Sequence, residues 1–129
     1  MTAYLLDTHV FLWFAAGDVN LSKTAKNIIE DGKNDIYLSS ASVWELSIKI
    51  GIGKLKLKKS LGKFIAESII QYGFIQLPIN IPHTLEISKL PDIHKDPFDR
   101  ILIAQAIVES VKIITSDKFI NQYDVKTVW

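Results

Sequence analysis

The chain has 129 residues, the size of one domain by the usual span of roughly 100–200 residues. With 48% hydrophobic and 22% charged residues it lies within globular bounds, which excludes bulk disorder. Cysteine is absent, so disulfides, thiolate-held zinc, iron–sulfur clusters and thiol nucleophiles are excluded. Fifteen Lys and Arg against fourteen Asp and Glu give a net charge of +1, which neither demands nor forbids a nucleic-acid partner. No stretch approaches the roughly 18 apolar residues of a membrane span. Met1–Asp7 has no basic n-region and meets an acid at once, so no signal peptide is expected. A cytoplasmic protein that stays off membranes is the expectation.

The apolar run ending at Leu5-Leu6 reads as a buried strand that stops at Asp7-Thr8, where a helix starts. Residues 9–16 are almost all apolar and predict a helix buried on most sides, stopped by Gly17-Asp18. A second helix is predicted over 22–32, capped by Ser22, with Ala25, Ile28 and Ile29 on one face. Residues 35–39 predict a strand and 40–50 a helix with Val43, Leu46 and Ile50 on one stripe, broken by Gly51-Ile52-Gly53. Next come a helix over 60–72, with Leu61, Phe64, Ile65, Ile69 and Tyr72 inward, a strand over 74–77, and a short helix near 80–88. Asp96-Pro97 opens a further helix, Asp96 at N-cap and Pro97 at N1, where a missing N–H costs nothing. Residues 112–115 predict a strand ending at Ser116-Asp117; a helical turn and a terminal strand near 125–128 close the chain. Strands alternating with helices imply a parallel sheet covered on both faces. The functional crevice of such a sheet lies beyond the carboxyl ends of its strands.

Acids gather at that edge. Asp7 follows the first strand, Glu45 lies in the helix after the second, Asp96 and Asp99 begin the helix before the fourth, and Asp117 follows the fourth. Carboxylates brought together there repel unless protonated or neutralised, and a hard divalent cation with oxygen ligands is the economical neutraliser. Each acid alone has a plainer explanation. Asp7, Asp96 and Asp117 are placed as N-caps, and Ser42-Val43-Trp44-Glu45 matches a capping box. If the helix starts at Ser40, however, Glu45 is too deep to cap it.

Four segments then stand out in order. Leu5-Leu6-Asp7-Thr8-His9-Val10-Phe11-Leu12-Trp13 resembles the opening strand and helix of PIN-domain ribonucleases, specifically the VapC toxins of type II toxin–antitoxin pairs. Ser40–Lys49 with Gly53-Lys54-Leu55 is similar to their second motif, His94–Ala106 with its Asp-Pro-Phe-Asp-Arg run to their third, and Thr115–Phe119 to their fourth. The resemblance covers almost the whole chain. It implies a three-layer α/β/α sandwich with a central, mostly parallel sheet, formed by residues 1–129 as one domain. It also implies an endoribonuclease dependent on Mg²⁺ or Mn²⁺, cleaving RNA with a metal-activated water. Carried over by motif position, Asp7, Glu45, Asp99 and Asp117 are the catalytic and metal-binding acids, with Asp7 and Asp99 the principal ligands. Asp96 belongs to the motif but reads first as a cap. Thr8 and Ser116 are placed to orient acids or waters, and Arg100 either touches a phosphate or pairs with a nearby acid. The implied partners are RNA and a cognate antitoxin. The aromatic surface of the helix 9–16 adds a homodimer as a further expectation.

Other features weigh less. Residues 46–66 hold six lysines and no acid, either a solvated face or a stripe along an RNA backbone. Gly51-Ile52-Gly53-Lys54 lacks the spacing of a phosphate loop. His9, His83 and His94 form no zinc-like spacing and read as structural, His94 excepted because it stands nearest the acids. Two competitors remain: a Mg²⁺-binding phosphoacceptor domain of the receiver type, disfavoured because Asp7 stands alone in its strand, and a non-catalytic module whose acids are only caps.

Overall fold

Apolar runs that end at Asp, Ser or Pro become strands here, and the amphipathic runs between them become helices. The computed structural model describes residues 2–129. In chain order the elements are β1 (Ala3–Leu6), α1 (Thr8–Ala16), α2 (Lys23–Glu30), β2 (Asp35–Ser39), α3 (Ser40–Gly51), α4 (Leu61–Tyr72), β3 (Ile75–Leu77), α5 (Ile81–Ile87), α6 (Pro97–Glu109), β4 (Lys112–Ile114) and β5 (Thr127–Val128). A 3-10 turn at Ile120–Gln122 links the last two strands. All strand pairings are parallel, in the order β3-β2-β1-β4-β5. The chain therefore builds outward from β1 through β2 to β3, then returns to the far side of β1 for β4 and β5. The direction reverses between β1 and β4, which is where an open parallel sheet leaves its crevice.

Strand alternation sorts the core into two layers. Tyr4, Leu6, Ile36, Leu38 and Ile114 face α1, α2 and α4, where they meet Val10, Phe11, Ala25 and Ile29. Leu5 and Ile113 face the other way, onto Ile101, Leu102, Ile103 and Ala106 of α6. Helices thus cover both faces, giving the expected three-layer α/β/α sandwich, with every strand pair parallel.

Helix α6 is buried without interruption from Ile101 to Ala106, and this includes Gln105. The Gln105 side chain accepts from Ser39 Oγ at 2.5 Å and donates to the Pro78 carbonyl at 3.2 Å. It thereby fixes the ends of β2 and β3 to the helix that carries Asp99. Buried polar groups of this kind cost little only when bonded. Among the described residues no buried side-chain polar atom lacks a partner.

Several local expectations change. The capping box at Ser42–Glu45 does not form. Helix α3 starts directly from β2, so Ser39 is the cap, accepting from Ala41 N at 3.0 Å. Ser42 is left in the first turn, buried, and accepts from Thr8 Oγ1 at 2.9 Å. Asp117 caps no helix; its Oδ1 accepts from Phe119 N at 2.7 Å in a local turn. Helix α2 stops at Glu30, because Asp31 leaves the helical region and accepts from Lys33 N. The aromatic surface of α1 finds partners within the chain: Trp13 meets Trp129 at 5.8 Å, and Phe14 meets Tyr72 at 4.8 Å. These contacts take up part of the α1 aromatic surface and leave Trp13 and Phe14 half-buried. Among the described residues, no helix is long and apolar enough to cross a membrane.

Candidate active site

The site is built at the reversal point between β1 and β4. The pairing of Leu6 with Ile114 is the last of that ladder, and Asp7 N continues it by donating to Ile114 O at 3.2 Å. One residue further, the register sets Asp7 beside Thr115. Thr115 Oγ1 donates to Asp7 Oδ2 at 2.6 Å, and the same hydroxyl accepts from Asp117 N at 3.0 Å. The other Asp7 oxygen accepts from His9 N at 3.4 Å as the cap of α1. Asp7 is buried, and this burial raises its pKa above the usual carboxylate range. The Asp117 charge adds to the rise, against the hydrogen bond from Thr115 and the proximity of His9.

Asp99 enters from α6. Asp96 caps that helix, its Oδ1 accepting from Phe98 N at 2.9 Å and Asp99 N at 3.3 Å. This fixes the first turn and holds the Asp99 side chain over the strand ends. Burial, followed by the charges of Asp7 and Asp96, pushes the Asp99 pKa up to about 7, although the hydrogen bond from His94 opposes the rise. His94 Nε2 lies 2.7 Å from Asp99 Oδ2 and 3.8 Å from Asp117 Oδ2. His94, Asp99 and Asp117 each offer a ligand atom, all within 4.8 Å of one another.

His94, Asp99 and Asp117 thus converge, and Asp7 lies outside that group of ligand atoms but near enough for its charge to raise the Asp99 pKa. Glu45 is also buried, on the wall of a groove between α3 and α6 that it shares with Asp96, but its carboxylate is held by Lys49 Nζ at 2.9 Å, one turn further along α3. Thr8 bonds to Ser42 and so ties α1 to α3 behind the acids. Ser116 is exposed. Arg100 touches no acid: its guanidinium donates to the carbonyls of Pro91, His94 and Ile87 and to Tyr123 Oη, clamping the loop that carries His94. Tyr123 Oη in turn accepts from His94 N at 2.7 Å.

Sequence reasoning misses one participant in the site and leaves another open. Thr115, rather than its neighbour Ser116, joins Asp7 to Asp117. Strand parity is the available signal, since positions 113 and 115 share a face with 5 and 7. His94 reaches the acids through a fold of residues 88–96 that no periodicity announces. His83 is structural, its Nδ1 accepting from Asn80 N at 2.9 Å and its Nε2 lying 2.8 Å from Glu109.

Carboxylates at one sheet edge, with the pKa values of Asp7 and Asp99 both raised, form a set that a hard divalent cation would neutralise. An all-carboxylate oxygen set with one adjacent imidazole fits Mg²⁺ or Mn²⁺ rather than a thiophilic metal.

Comparison with known proteins agrees with this fold. A family model described as PIN domain matches residues 4–126. The chain is 26% identical to Ribonuclease VapC22 of Mycobacterium tuberculosis over 130 residues, covering 95% of this chain and 93% of that protein. Ribonuclease VapC16 of the same organism is 31% identical over 70 residues, 54% of this chain and 48% of that one. Among solved structures, VapBC2 from Rickettsia felis bound to a DNA fragment from its promoter superposes with a TM-score of 0.74 at 16% identity, covering 99% of each chain. FitAcB from Neisseria gonorrhoeae gives 0.64 at 22% identity, covering 98% and 96%. With the acids at the edge of an all-parallel sheet and a family match running nearly end to end, the chain belongs to the PIN domain family.

Proposed function

We propose that this chain is a Mg²⁺- or Mn²⁺-dependent endoribonuclease and the toxin of a toxin–antitoxin pair. The observation that carries the reading is the convergence of Asp99 and Asp117 with His94, and the charge of nearby Asp7 that helps to push the Asp99 pKa up to about 7. A set of caps explains Asp7 and Asp96; it explains neither Asp99, which caps nothing, nor the Thr115 hydroxyl that joins Asp7 to Asp117. The family membership and the two ribonuclease relatives support the same conclusion.

In this reading Asp7, Asp99 and Asp117 hold the cation. Bound there, it supplies the charge that makes a water nucleophilic at neutral pH and offsets charge developing on the phosphate. The chain supplies the rest. Thr115 fixes the Asp7 carboxylate by a short bond and Asp117 by its backbone. His94 orients Asp99, and Arg100 with Tyr123 holds the His94 loop in place. Glu45 completes the acidic rim from α3, its charge moderated by Lys49. Asp96 keeps Asp99 in its first-turn position. Such outer supports act on ligand orientation and basicity.

The partners follow from the same reading. RNA is the substrate, and a cognate antitoxin of the kind seen in the structurally similar VapBC assemblies is the regulator. A second copy would sit on the apolar groove of α4 beside edge strand β3, lined by Leu61, Ile65, Ile69 and Ile70, the last 84% exposed. The test of the function is incubation of wild-type and Asp7→Asn protein with total cellular RNA, in Mg²⁺, in Mn²⁺ and in EDTA. Discrete cuts that need metal and vanish in the variant support it. A folded wild type that neither cuts nor binds metal overturns it.

A further inference from the structure

Phe119 braces two members of the site at once. Its backbone N–H donates to Asp117 Oδ1 at 2.7 Å, and its ring stacks on His94 at 5.1 Å with the planes inclined by 24°. With Oδ1 taken, Asp117 presents Oδ2 to the imidazole, 3.8 Å from His94 Nε2. The same nitrogen lies 2.7 Å from Asp99 Oδ2. The backbone of His94 is tied down as well: its N–H donates to Tyr123 Oη at 2.7 Å, and its carbonyl accepts from Arg100 Nη1 at 3.4 Å. The ring is thus fixed at its face and at its backbone, with Nε2 turned toward one carboxylate of α6 and one beyond β4.

A proton on Nε2 serves one acceptor, and Asp99 takes it. That bond orients Asp99 but gives no reason for Asp117 to approach the same nitrogen. A cation serves all three atoms. Octahedral geometry with bonds of about 2.1 Å sets neighbouring ligand atoms about 3 Å apart. The two separations from Nε2 lie on either side of that spacing. His94, Asp99 and Asp117 are all partly buried, which leaves one side of the cluster open to water. Imidazole is a poor ligand for Mg²⁺, which is hard and favours oxygen. It suits first-row transition metals better, and among these Mn²⁺ also accepts carboxylates.

We propose that His94 is itself a ligand of the cation, through Nε2 and alongside Asp99 and Asp117, and that this nitrogen makes the site select Mn²⁺ over Mg²⁺. This inference rests on the cation reading of the site and deepens it. The 2.7 Å contact with Asp99 is then the metal-free arrangement. In the loaded site the neutral ring carries its proton on Nδ1, away from the acids, and Nε2 is left to coordinate. Phe119 is a positioning residue: it keeps the imidazole and the Asp117 carboxylate in register with each other.

The test reads the metal rather than cleavage. The full chain is loaded with Mn²⁺ and measured by electron spin-echo envelope modulation, which detects nitrogen bonded directly to the ion. The wild type should show a coordinated imidazole ¹⁴N. Growth on ring-¹⁵N histidine should convert that signal to the ¹⁵N pattern, a result that needs no variant. His94→Gln should abolish the nitrogen coupling, and His9→Gln, at the exposed histidine beside Asp7, should retain it. In calorimetric titrations His94→Gln should weaken Mn²⁺ binding roughly tenfold or more and Mg²⁺ binding by less, so that the preference for Mn²⁺ falls. Mn²⁺ bound without nitrogen coupling, or coupling that survives in His94→Gln, would overturn the ligand assignment and leave the acids as the cation site. Equal losses for the two ions would reduce His94 to a support for Asp99, and that too overturns the proposal. A folded wild type that binds neither ion removes the cation reading as well.

Discussion

The Thr115 hydroxyl donates to Asp7 Oδ2 at 2.6 Å across 108 positions of sequence. The same oxygen receives the Asp117 N–H, so one threonine just beyond β4 sets both Asp7 and Asp117. A buried carboxylate deprived of such a bond is left with the desolvation cost alone, about 1–3 kcal/mol. Thr115→Ala should therefore lower stability by about that amount and weaken Mg²⁺ binding by roughly 10–100-fold. Thr115→Ser should restore both. Calorimetric titration and thermal unfolding of the pair of variants check this; equal behaviour of Ala and Ser would mean that the bond supports neither stability nor metal binding.

The acids should make metal affinity depend on pH. Asp99 ionises near 3.8 when unperturbed and at about 7 in the folded protein, and Asp7 is shifted in the same direction. Between those values the folded state keeps a proton that the unfolded state has lost. The metal-free protein is consequently most favoured at the low end of this window and loses stability as pH rises towards 7. Cation binding requires the ionised form, so affinity should climb about tenfold per pH unit for each proton displaced and level off above 7. Melting curves with and without Mg²⁺ at pH 5.5 and 8 should show the larger metal-induced stabilisation at pH 8.

Neutralising one member of the cluster should separate stability from activity. With Asp99→Asn, repulsion from Asp7 and Asp96 disappears, and the metal-free protein at pH 8 should melt several degrees higher, equivalent to about 1–2 kcal/mol. Cleavage should fall by roughly a thousandfold or more, within the range set by losing a metal ligand and its transition-state charge stabilisation. A variant that is both less stable and still active would contradict the assignment.

Glu45 is expected to behave more mildly. Its Lys49 partner lies one helical turn away and is partly solvated, so the ion pair contributes only about 0.3–0.5 kcal/mol. Glu45→Gln should leave the unfolding temperature nearly unchanged and reduce cleavage about tenfold. A module whose acids are only structural would lose nothing in the same RNA assay.

Arg100 offers a distinction between clamp and phosphate contact. Its guanidinium is committed to three carbonyls and the Tyr123 hydroxyl. Arg100→Met should cost about 1–3 kcal/mol of stability. The salt dependence of RNA binding should keep its slope, because no phosphate contact is removed. A slope shallower by about one would instead put Arg100 on the substrate.

Much of the fold is legible in the amino-acid sequence. Strands ending before Asp7 and at Ser39 and helices opening after Asp7 and Asp96 follow from alternation and capping chemistry, and parallel order follows from the β–α alternation; the fourth strand stops at Ile114, short of Asp117. The remainder depends on tertiary register. Thr115 is preferred to Ser116 only once β1 and β4 are paired. The Ser42 box does not form because the α3 cap lies at Ser39, where strand passes into helix without a loop. Arg100 and His94 owe their roles to the irregular path of residues 88–96, which no hydrophobic period encodes. The aromatics of α1 look surplus in sequence because their partners, Tyr72 and Trp129, are distant along the chain.

The central claim is that clustered carboxylates direct water against an RNA phosphodiester. The most direct measurement is the chemistry of the ends produced when the purified wild-type protein cuts RNA in Mg²⁺. Attack by water yields a terminal phosphomonoester opposite a hydroxyl, with no 2′,3′-cyclic phosphate, and EDTA or Asp99→Asn is predicted to abolish the cuts. Cyclic phosphate ends would mean that the ribose 2′-hydroxyl is the nucleophile, cuts that persist in EDTA would mean that no cation is needed, and either would give the acids at this sheet edge another purpose.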